Sequence, residues 1–448
     1  MTGRPHAARR PALWLRWSAC LLLVWLSIAG AAAPAIAQSA GGAPPAIAPV
    51  DDAWRQALPR DAEAATQAYL DRLPAAAVAR ANAYFEGGYC LLLWNLLAGL
   101  AVSALLLARR RSARIAAWCL RVARLRMPAD AAYGALFALF SFVVTLPLSI
   151  YQGWFRERQY GMATQDFGAW FGEQLIALAV SMVMLAIAVA LLYALLRRAG
   201  PQGWVWASAL ATAMLALLML AGPVMIDPLF NRYTPLPAGP VKDAVLAMAH
   251  ADGVPVDQVY VVDASRQTAR VSANVSGLLG TAAVRLNDNL LRRCSLAEIR
   301  AVMGHELGHY VMNHLYKMLA FTALLALLFF GSAQWALQYL LARHGAQLGT
   351  SRSDDVASFP LLVGVFLVLG FLATPIQNTL IRSQEIEADR FGLNLAREPH
   401  GAAELDLKLT EYRKPDPAAW EEFVFYDHPS TRFRIHDAMR WREAMGTP

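Results

Sequence analysis

Charged residues and cysteines are both scarce in this sequence. Asp, Glu, Lys and Arg make up only 16% of its 448 residues and hydrophobic residues make up 57%, which excludes an ordinary soluble globular protein. The four cysteines form no Cys-x-x-Cys pair, so neither a disulfide framework nor a thiolate zinc site is indicated. Any metal ligands must therefore be histidine or carboxylate side chains.

The sequence also lacks a segment in which basic and aromatic residues alternate, as in a nucleic-acid-binding groove, although its net charge is +7. We therefore expect no nucleic-acid partner. Much of the positive charge lies instead in seven arginines between residues 109 and 126, and in Arg197 and Arg198. Such clusters beside apolar segments are typical of the cytoplasmic ends of membrane spans.

Six apolar runs are each about long enough to cross a hydrocarbon core as a helix. They extend over residues 87–108, 131–151, 175–196, 205–226, 318–342 and 359–381. One such run alone is compatible with a buried core helix, but six together indicate the lipid bilayer as a partner. We predict an N-terminal membrane region of four spans, residues 86–226, and a domain over residues 227–448 that contains the other two.

The first 37 residues have the pattern of a secretory signal peptide. Arginines precede an apolar stretch at residues 20–33, and Ala35-Ile36-Ala37 fits a small-residue cleavage site. This pattern favours a cleaved signal, although a retained first membrane anchor stays open because the apolar stretch is nearly long enough to span. Residues 38–85 are predicted to be an extramembrane linker or N-terminal segment.

The pentapeptide at residues 305–309 is His-Glu-Leu-Gly-His. Residues four apart share a helix face, so His305 and His309 can bind one metal ion. Glu306 lies where it can take a proton from water at that metal, as a zinc peptidase requires. Ser295 and Glu298 fit a capping box, which predicts that a helix begins there. The alternative is an ordinary amphipathic helix that happens to carry two histidines.

A zinc site of this type needs a third protein ligand and one position left open for water. Glu385 and Asp389 follow the last predicted span and are four residues apart, hence on one helix face. We predict that Glu385 is the third ligand of one Zn²⁺ per chain and that Asp389 accepts the spare N–H of a liganding histidine. The alternative is a solvated charged face that includes Glu387 and Arg390.

Three short β-prone runs, at residues 259–263, 269–275 and 282–286, precede the metal-binding helix. They predict a small β-sheet. An exposed strand of this sheet is suited to pair with an extended peptide substrate, but a purely structural sheet is an equal alternative.

Together these motifs resemble a known family. The His-Glu-Leu-Gly-His motif, the two following spans and the sequence at 385–389 resemble the integral-membrane zinc metallopeptidases of the CAAX prenyl protease type that processes a-factor, and more distantly the HtpX heat-shock proteases. Residues 223–236 resemble the family's segment leading out of the membrane, and residues 272–277 resemble its substrate-edge strand, although the aromatic usual after Asn-Ala is replaced. Asp427-His428-Pro429 followed by Arg434 resembles its C-terminal motif.

The resemblance implies a mainly α fold in which polytopic membrane helices form a ring or bundle around an intramembrane chamber. A small α/β zincin-like catalytic unit with a short β-sheet would carry the zinc site at the rim. His428 and Arg434 would stabilise the oxyanion that forms when the carbonyl becomes tetrahedral. Asn274 would bind the substrate.

The orientation in the membrane follows from the arginines. If the loop at residues 109–126 is cytoplasmic, counting spans places the metal-binding helix on the periplasmic side of a bacterial inner membrane. Eukaryotic prenyl proteases have their site on the cytosolic side, so either this chain is inverted or the span count is wrong by one. The oligomeric state is left open, and a monomer is compatible with the sequence.

We therefore predict a membrane-embedded zinc metalloendopeptidase that hydrolyses peptide bonds of protein or peptide substrates. A transporter or channel with a structural or regulatory metal site is an alternative from another class, but the two halves show no convincing inverted repeat. A catalytically inactive scaffold is a third alternative, and the intact Glu306 argues against it.

Overall fold

The computed structural model describes residue 47 and residues 50–276 and 282–446. The predicted signal peptide or anchor, residues 1–37, lies outside the described residues. The described residues form sixteen α-helices and four β-strands, which we number in chain order. The helices are α1 (Asp52–Gln56), α2 (Ala62–Leu70), α3 (Ala75–Leu107), α4 (Arg111–Ala123), α5 (Arg126–Ile150), α6 (Arg156–Gln159), α7 (Phe167–Ala199), α8 (Gly203–Ala221), α9 (Pro240–Ala251), α10 (Asp288–Arg293), α11 (Leu296–Val311), α12 (His314–Leu348), α13 (Phe359–Ala396), α14 (Pro399–Leu409), α15 (Ala419–Phe425) and α16 (Thr431–Met445). The strands are β1 (Tyr233–Pro235), β2 (Val259–Val262), β3 (Ala273–Ser276) and β4 (Ala283–Asn287).

Six long helices form a closed ring. In order around it they are α3, α5, α7, α8, α12 and α13, each packed against the next, and α13 packs against α3 to close it. Five continuous helical segments are long and apolar enough to cross a membrane. One of these segments, Phe167–Leu229, contains two ring helices, α7 and α8. The chain turns between them at Gly200, where φ is +56°. Each predicted apolar run coincides with one ring helix, and the predicted ring or bundle is confirmed.

The ring has two different ends. Helix α12 begins at His314, three residues after the end of α11, and runs for 35 residues, which corresponds to about 50 Å. Near its far end, the Arg110 guanidinium donates a 2.7 Å hydrogen bond to the Ala346 carbonyl. The Ser112 hydroxyl similarly donates to the Ala357 carbonyl at 2.6 Å. We call this far end, residues 107–126, 197–203 and 346–358, the basic end.

A four-stranded sheet lies in the chain between the ring helices α8 and α12. Its order is β1-β2-β4-β3, with β2 and β4 parallel and the other pairs antiparallel, so β3 is an edge strand. The predicted small sheet is confirmed. Strand β1 was not predicted, because a three-residue strand that contains Pro235 has neither the length nor the alternation that marks a strand in sequence.

Helix α11 packs its apolar face on this sheet. The Ser295 and Glu298 side chains form the predicted capping box at its start. Ile299, Met303 and Leu307 are buried against the sheet core. Each such side chain contributes about 1.5–3 kcal/mol by leaving water. The buried face fixes the rotation of α11 and turns its histidines towards α13.

The segment preceding the ring is not only a linker. Helices α1 and α2 pack against α14 and α16, with Leu58 and Tyr69 buried beside Ile435. The Arg55 guanidinium also forms a 2.9 Å ion pair with Glu404. Part of the segment predicted as an extramembrane linker or N-terminal segment, residues 38–85, therefore forms two helices, and α2 packs an apolar face on the C-terminal helices. The predicted domain boundaries at residues 86 and 226 stay predictions.

Candidate metal centre

Three side chains from two helices converge at one point. His305 and His309 project from α11, and their Nε2 atoms lie 3.0 Å apart. From α13, Glu385 Oε2 lies 3.2 Å from His305 Nε2 and its Oε1 lies 3.4 Å from His309 Nε2. These atoms all lie within 4.8 Å of one another, so the three side chains can hold a metal ion. The structure thus brings together the three ligands predicted from sequence.

Small residues allow the two helices to approach this closely. A Cβ atom added at Gly392 would lie 2.7 Å from the backbone nitrogen of His305. One added at Gly304 would lie 2.9 Å from the Gly392 carbonyl oxygen, and one at Gly308 3.2 Å from the Ala388 backbone. Small residues four apart on both helices therefore form the crossing point, as in closely packed membrane helices.

The position of Glu385 along α13 sets the site at the rim of the ring. The apolar run of this helix covers residues 359–381, and Glu385 follows one turn later. A carboxylate inside the apolar run would be costly, whereas here it lies where the helix has left the apolar layer.

The local chemistry fits a divalent cation. Glu385 Oε2 is buried and has no hydrogen-bond partner among the described residues. Burial lowers the pKa of His305, but the Asp389 and Glu385 carboxylates raise it by more, so that its pKa is about 10. The pocket is therefore electrostatically incomplete without a cation. Imidazole nitrogen and carboxylate oxygen are ligands that Zn²⁺ accepts in tetrahedral sites.

Asp389 and Arg434 orient His305 on the side of its ring away from Glu385. His305 Nδ1–H donates a 2.7 Å hydrogen bond to Asp389 Oδ1, so the proton that a bound cation would displace is the one on Nε2, which faces Glu385. Arg434 Nε donates to Asp389 Oδ2 at 2.9 Å, and its Nη1 lies 3.4 Å from the buried Asp406. Burial raises the pKa of Asp406 to about 6, although Arg434 opposes this shift.

A third histidine, which the sequence analysis missed, supports His309. His314 Nε2 lies 3.1 Å from Glu387 Oε2, and its Nδ1 lies 2.8 Å from His309 Nδ1. A carboxylate only accepts, so His314 donates to Glu387 and accepts from His309 Nδ1–H, which leaves His309 Nε2 free as a ligand. Lys317 Nζ is 2.8 Å from the same Glu387 oxygen. A histidine five residues after His309 was a usable signal, because every liganding imidazole needs a partner for its N–H.

Glu306 lines the cavity beside these ligands. Among the described residues it has no hydrogen-bond or ion-pair partner, in contrast to Asp389 and Glu387. Burial raises the pKa of the Glu306 carboxyl, and the neighbouring imidazoles oppose that shift. A free carboxylate with a raised pKa has the properties of a general base.

His428 reaches the centre from the loop between α15 and α16. Its Nε2 lies 3.4 Å from Glu385 Oε2, and its Nδ1 lies 2.8 Å from Asp427 Oδ1. The imidazole is about one-third exposed and lines the cavity with Glu306. The structure therefore places both His428 and Arg434 at the site and in the lining of the cavity, but with different contacts: His428 is close to Glu385, whereas Arg434 is bound to the Asp389 and Asp406 carboxylates.

The cavity in front of the centre measures about 240 Å³. One wall is the approach to the edge strand β3, through Val271, Ser272 and Ala273. Asn274 lies on β3 with an exposed side chain, opposite Arg285 of β4, and is not among the residues that line the cavity. A role for Asn274 in substrate binding stays a prediction.

Two sequence families match this chain, one in each half. Residues 235–442 match peptidase family M48. Residues 56–232 match a family described as CAAX prenyl protease N-terminal, five membrane helices. The second match covers α3, α5, α7 and α8 of the ring, and the first covers the metal centre with α12 and α13.

Individual proteins are similar over most of the chain. The uncharacterized metalloprotease YhfN of Bacillus subtilis is 30% identical over 335 residues, which are 74% of this chain and 78% of the relative. CAAX prenyl protease 1 of Saccharomyces cerevisiae is 27% identical over 67% of this chain and 70% of its own. The crystal structure of S. mikatae Ste24p aligns with a TM-score of 0.71 at 18% identity, covering 96% of this chain and all of the other, which shows a common fold.

Proposed function

Because this chain belongs to peptidase family M48 and is a membrane protease homologous to the CAAX prenyl proteases, we propose that it is a zinc metalloendopeptidase with Glu306 as its general base. The observation that carries the proposal is the convergence of His305, His309 and Glu385 beside a carboxylate that has no partner of its own. Such a set leaves one position for water, as catalytic zinc sites do.

The proposed chemistry divides the work among the chain's own residues. Zinc held by His305, His309 and Glu385 would supply Lewis acidity towards water and the scissile carbonyl. Glu306 takes a proton from the attacking water and delivers it to the leaving amine. His428, which faces the cavity, donates to the carbonyl oxygen as negative charge develops there.

The surrounding residues orient the ligands. Asp389 and Glu387 fix the ring tautomers of His305 and, through His314, of His309, so that both Nε2 atoms face the metal position. Arg434 donates two hydrogen bonds to Asp389 and acts through His305, as a positioning residue that adds positive charge near the oxyanion. The family resemblance implied that Arg434 would hydrogen-bond or charge-stabilise the oxyanion, and its contacts with Asp389 favour the second of these roles.

Substrates are proposed to be peptides or proteins that reach the cavity in an extended form. The edge strand β3 pairs with β4 on one side only, and residues just before it line the cavity, so a peptide backbone can add to this edge. The Saccharomyces cerevisiae relative is named CAAX prenyl protease 1, which makes a C-terminally prenylated peptide one substrate to test beside an unprenylated one.

We further propose a bacterial inner membrane location with the metal centre on the periplasmic side. The arginine cluster and the metal centre lie at opposite ends of α12, about 50 Å apart. Arginine-rich loops stay cytoplasmic. This argument does not depend on the number of spans.

The test uses the purified chain in detergent with labelled peptides, prenylated and unprenylated. We expect cleavage that a chelator abolishes and added zinc restores. Glu306→Gln should lower kcat by about 10²- to 10⁴-fold, because proton transfer is lost, while zinc content stays at one per chain. Glu398→Gln is the matched control, since Glu398 also lines the cavity but forms a 3.0 Å ion pair with Arg300.

Two outcomes would contradict different parts of the proposal. Equal cleavage by Glu306→Gln and the parent would exclude hydrolysis at this site. If neither cleaves any peptide although both bind zinc, the substrate class is wrong.

A further inference from the structure

Positive charge without acidic partners is concentrated at the basic end. Eight arginines lie there: Arg109, Arg110, Arg111, Arg114, Arg121, Arg124, Arg126 and Arg198. The sequence has no Asp or Glu between Glu86 and Asp130. Among the described residues, the nearby acids are already engaged: Asp130 pairs with Arg197 at 2.5 Å, and Asp354 pairs with Arg352 at 2.6 Å. Asp355 accepts hydrogen bonds from the Thr350 hydroxyl at 3.2 Å and the Ala357 N–H at 3.0 Å. The eight guanidinium groups therefore present a charge that the chain itself does not neutralise.

Helix α4 carries this charge on one outward face. Arg114, Trp118 and Arg121 follow each other at spacings of four and three residues, which places them on one side of α4, and Leu125 lies just beyond the end of the helix. The Trp118 side chain is 50% exposed and Leu125 is 67% exposed. An exposed tryptophan thus lies between two arginines on the outward side of α4, and an exposed leucine lies just beyond the helix.

The opposite face of α4 fixes the helix to the ring. Ser112 and Cys119 are buried there. The Ser112 hydroxyl lies 2.6 Å from the Tyr133 hydroxyl and donates to the Ala357 carbonyl. These contacts fix the rotation of α4 about its axis, so its arginines face outward.

Sharp breaks separate α4 from the ring helices on either side. Arg110 and Arg124, just before and just after the helix, have left-handed backbone conformations with φ of 56° and 61°. Such residues are uncommon outside glycine. The breaks make α4 a separate 13-residue amphipathic helix at the end of the ring, and they place further arginines at both of its ends.

We propose that α4 and its flanking arginines bind the phosphate headgroups of anionic phospholipids in the leaflet at the basic end. A planar guanidinium binds phosphate through two N–H groups. Exposed tryptophan and aliphatic side chains between the arginines suit the boundary between headgroups and acyl chains, where amphipathic helices bind. A soluble polyanion would leave Trp118 and Leu125 in water. The site fixes the depth and tilt of the ring at the end remote from the metal centre.

The full chain, reconstituted in bilayers, tests this with spin-labelled phosphatidylglycerol and phosphatidylcholine. The motionally restricted fraction of each lipid, measured by electron paramagnetic resonance, gives the relative association constant. We expect the parent to prefer phosphatidylglycerol. A single arginine near an anionic surface raises the association constant about fivefold. The ratio of the association constants for phosphatidylglycerol and phosphatidylcholine should therefore fall at least about fivefold in the triple variant R114Q/R121Q/R124Q.

Two further variants separate charge from folding. R114K/R121K/R124K keeps the charge and should keep most of the preference. R60Q/R397Q/R440Q removes three exposed arginines away from the basic end and should leave the preference unchanged. A thermal unfolding midpoint in detergent confirms that each variant is folded.

Three results would overturn the proposal. The proposal is wrong if the glutamine triple variant keeps the preference of the parent. It is also wrong if the R60Q/R397Q/R440Q variant loses as much of the preference as the glutamine triple variant does. A parent that shows no lipid preference but binds soluble polyphosphate would assign these arginines to a soluble anion.

Discussion

At the residue scale, each predicted side chain of the metal centre has its own hydrogen-bonding partner or its own reason to lack one. Asp389 fixes His305, and His314 with Glu387 fixes His309. Glu306 alone is left without a partner among the described residues, which suits a group that must exchange protons. The difference between oriented ligands and a free base follows from side-chain contacts only.

His314→Ala should weaken zinc binding by about 10- to 100-fold, because His309 loses the acceptor that fixes its tautomer. A competition titration against a chromophoric chelator measures the dissociation constant without relying on cleavage. His314→Gln, which keeps an acceptor, should recover part of the affinity. His344→Ala is the matched control on the same helix, since His344 is exposed near the basic end. Equal affinity of His314→Ala and the parent would contradict the positioning role.

Asp406 should make stability depend on pH. Its pKa is raised from 3.8 to about 6 in the folded protein, so the folded state binds a proton more tightly than the unfolded state does. This contribution is fully present below pH 3.8 and is lost as the pH rises through about 6. Between pH 5 and 7 the free energy of unfolding of the parent should therefore fall by about 1.3 kcal/mol relative to that of Asp406→Asn, out of about 3 kcal/mol over the whole titration. A constant difference across this range would contradict the assignment.

At the element scale, the crossing of α11 and α13 makes the site. The ligands are 80 residues apart in sequence, from His305 to Glu385, and only the glycine-lined contact brings the two helices close enough. The apolar length of α13 then decides that Glu385 lies at the rim of the ring.

Gly392→Ala should separate the two helices and impair metal binding, because the new Cβ would meet the His305 backbone at 2.7 Å. We expect a loss of 1–3 kcal/mol of stability, about the cost of overpacking a close contact, and a weaker zinc affinity in the same titration. Gly370→Ala tests the same substitution on the same helix, where nothing lies within 4 Å. If both variants bind zinc as the parent does, the close approach is not what forms the site.

At the scale of the whole molecule, the ring separates two chemically different ends. One end carries the metal centre and the sheet, and the other carries the arginines. Ring helices of 19 to 38 residues connect them. The charge difference between the ends gives the molecule its proposed direction in the membrane.

Cysteine labelling should detect the two ends on opposite sides. In a background without the four native cysteines, Arg440→Cys should react with an impermeant maleimide in intact spheroplasts, and Arg198→Cys only after permeabilisation. Both positions are exposed, one on α16 and one near the basic end. Labelling of both from one side would contradict a ring that spans the membrane, and the reverse pattern would contradict only the periplasmic orientation.

The sequence by itself determined the membrane class, the small sheet and the metal-binding motifs. Local rules suffice for these features: apolar runs must be helical in lipid, and the spacing of His305 and His309 places both on one helix face. The ring order, the partner of His309 and the separate contacts of His428 and Arg434 were decided by the tertiary structure alone. They depend on which helix surfaces meet, as at Gly304 and Gly392, and such contacts between distant residues have no local signal in one sequence.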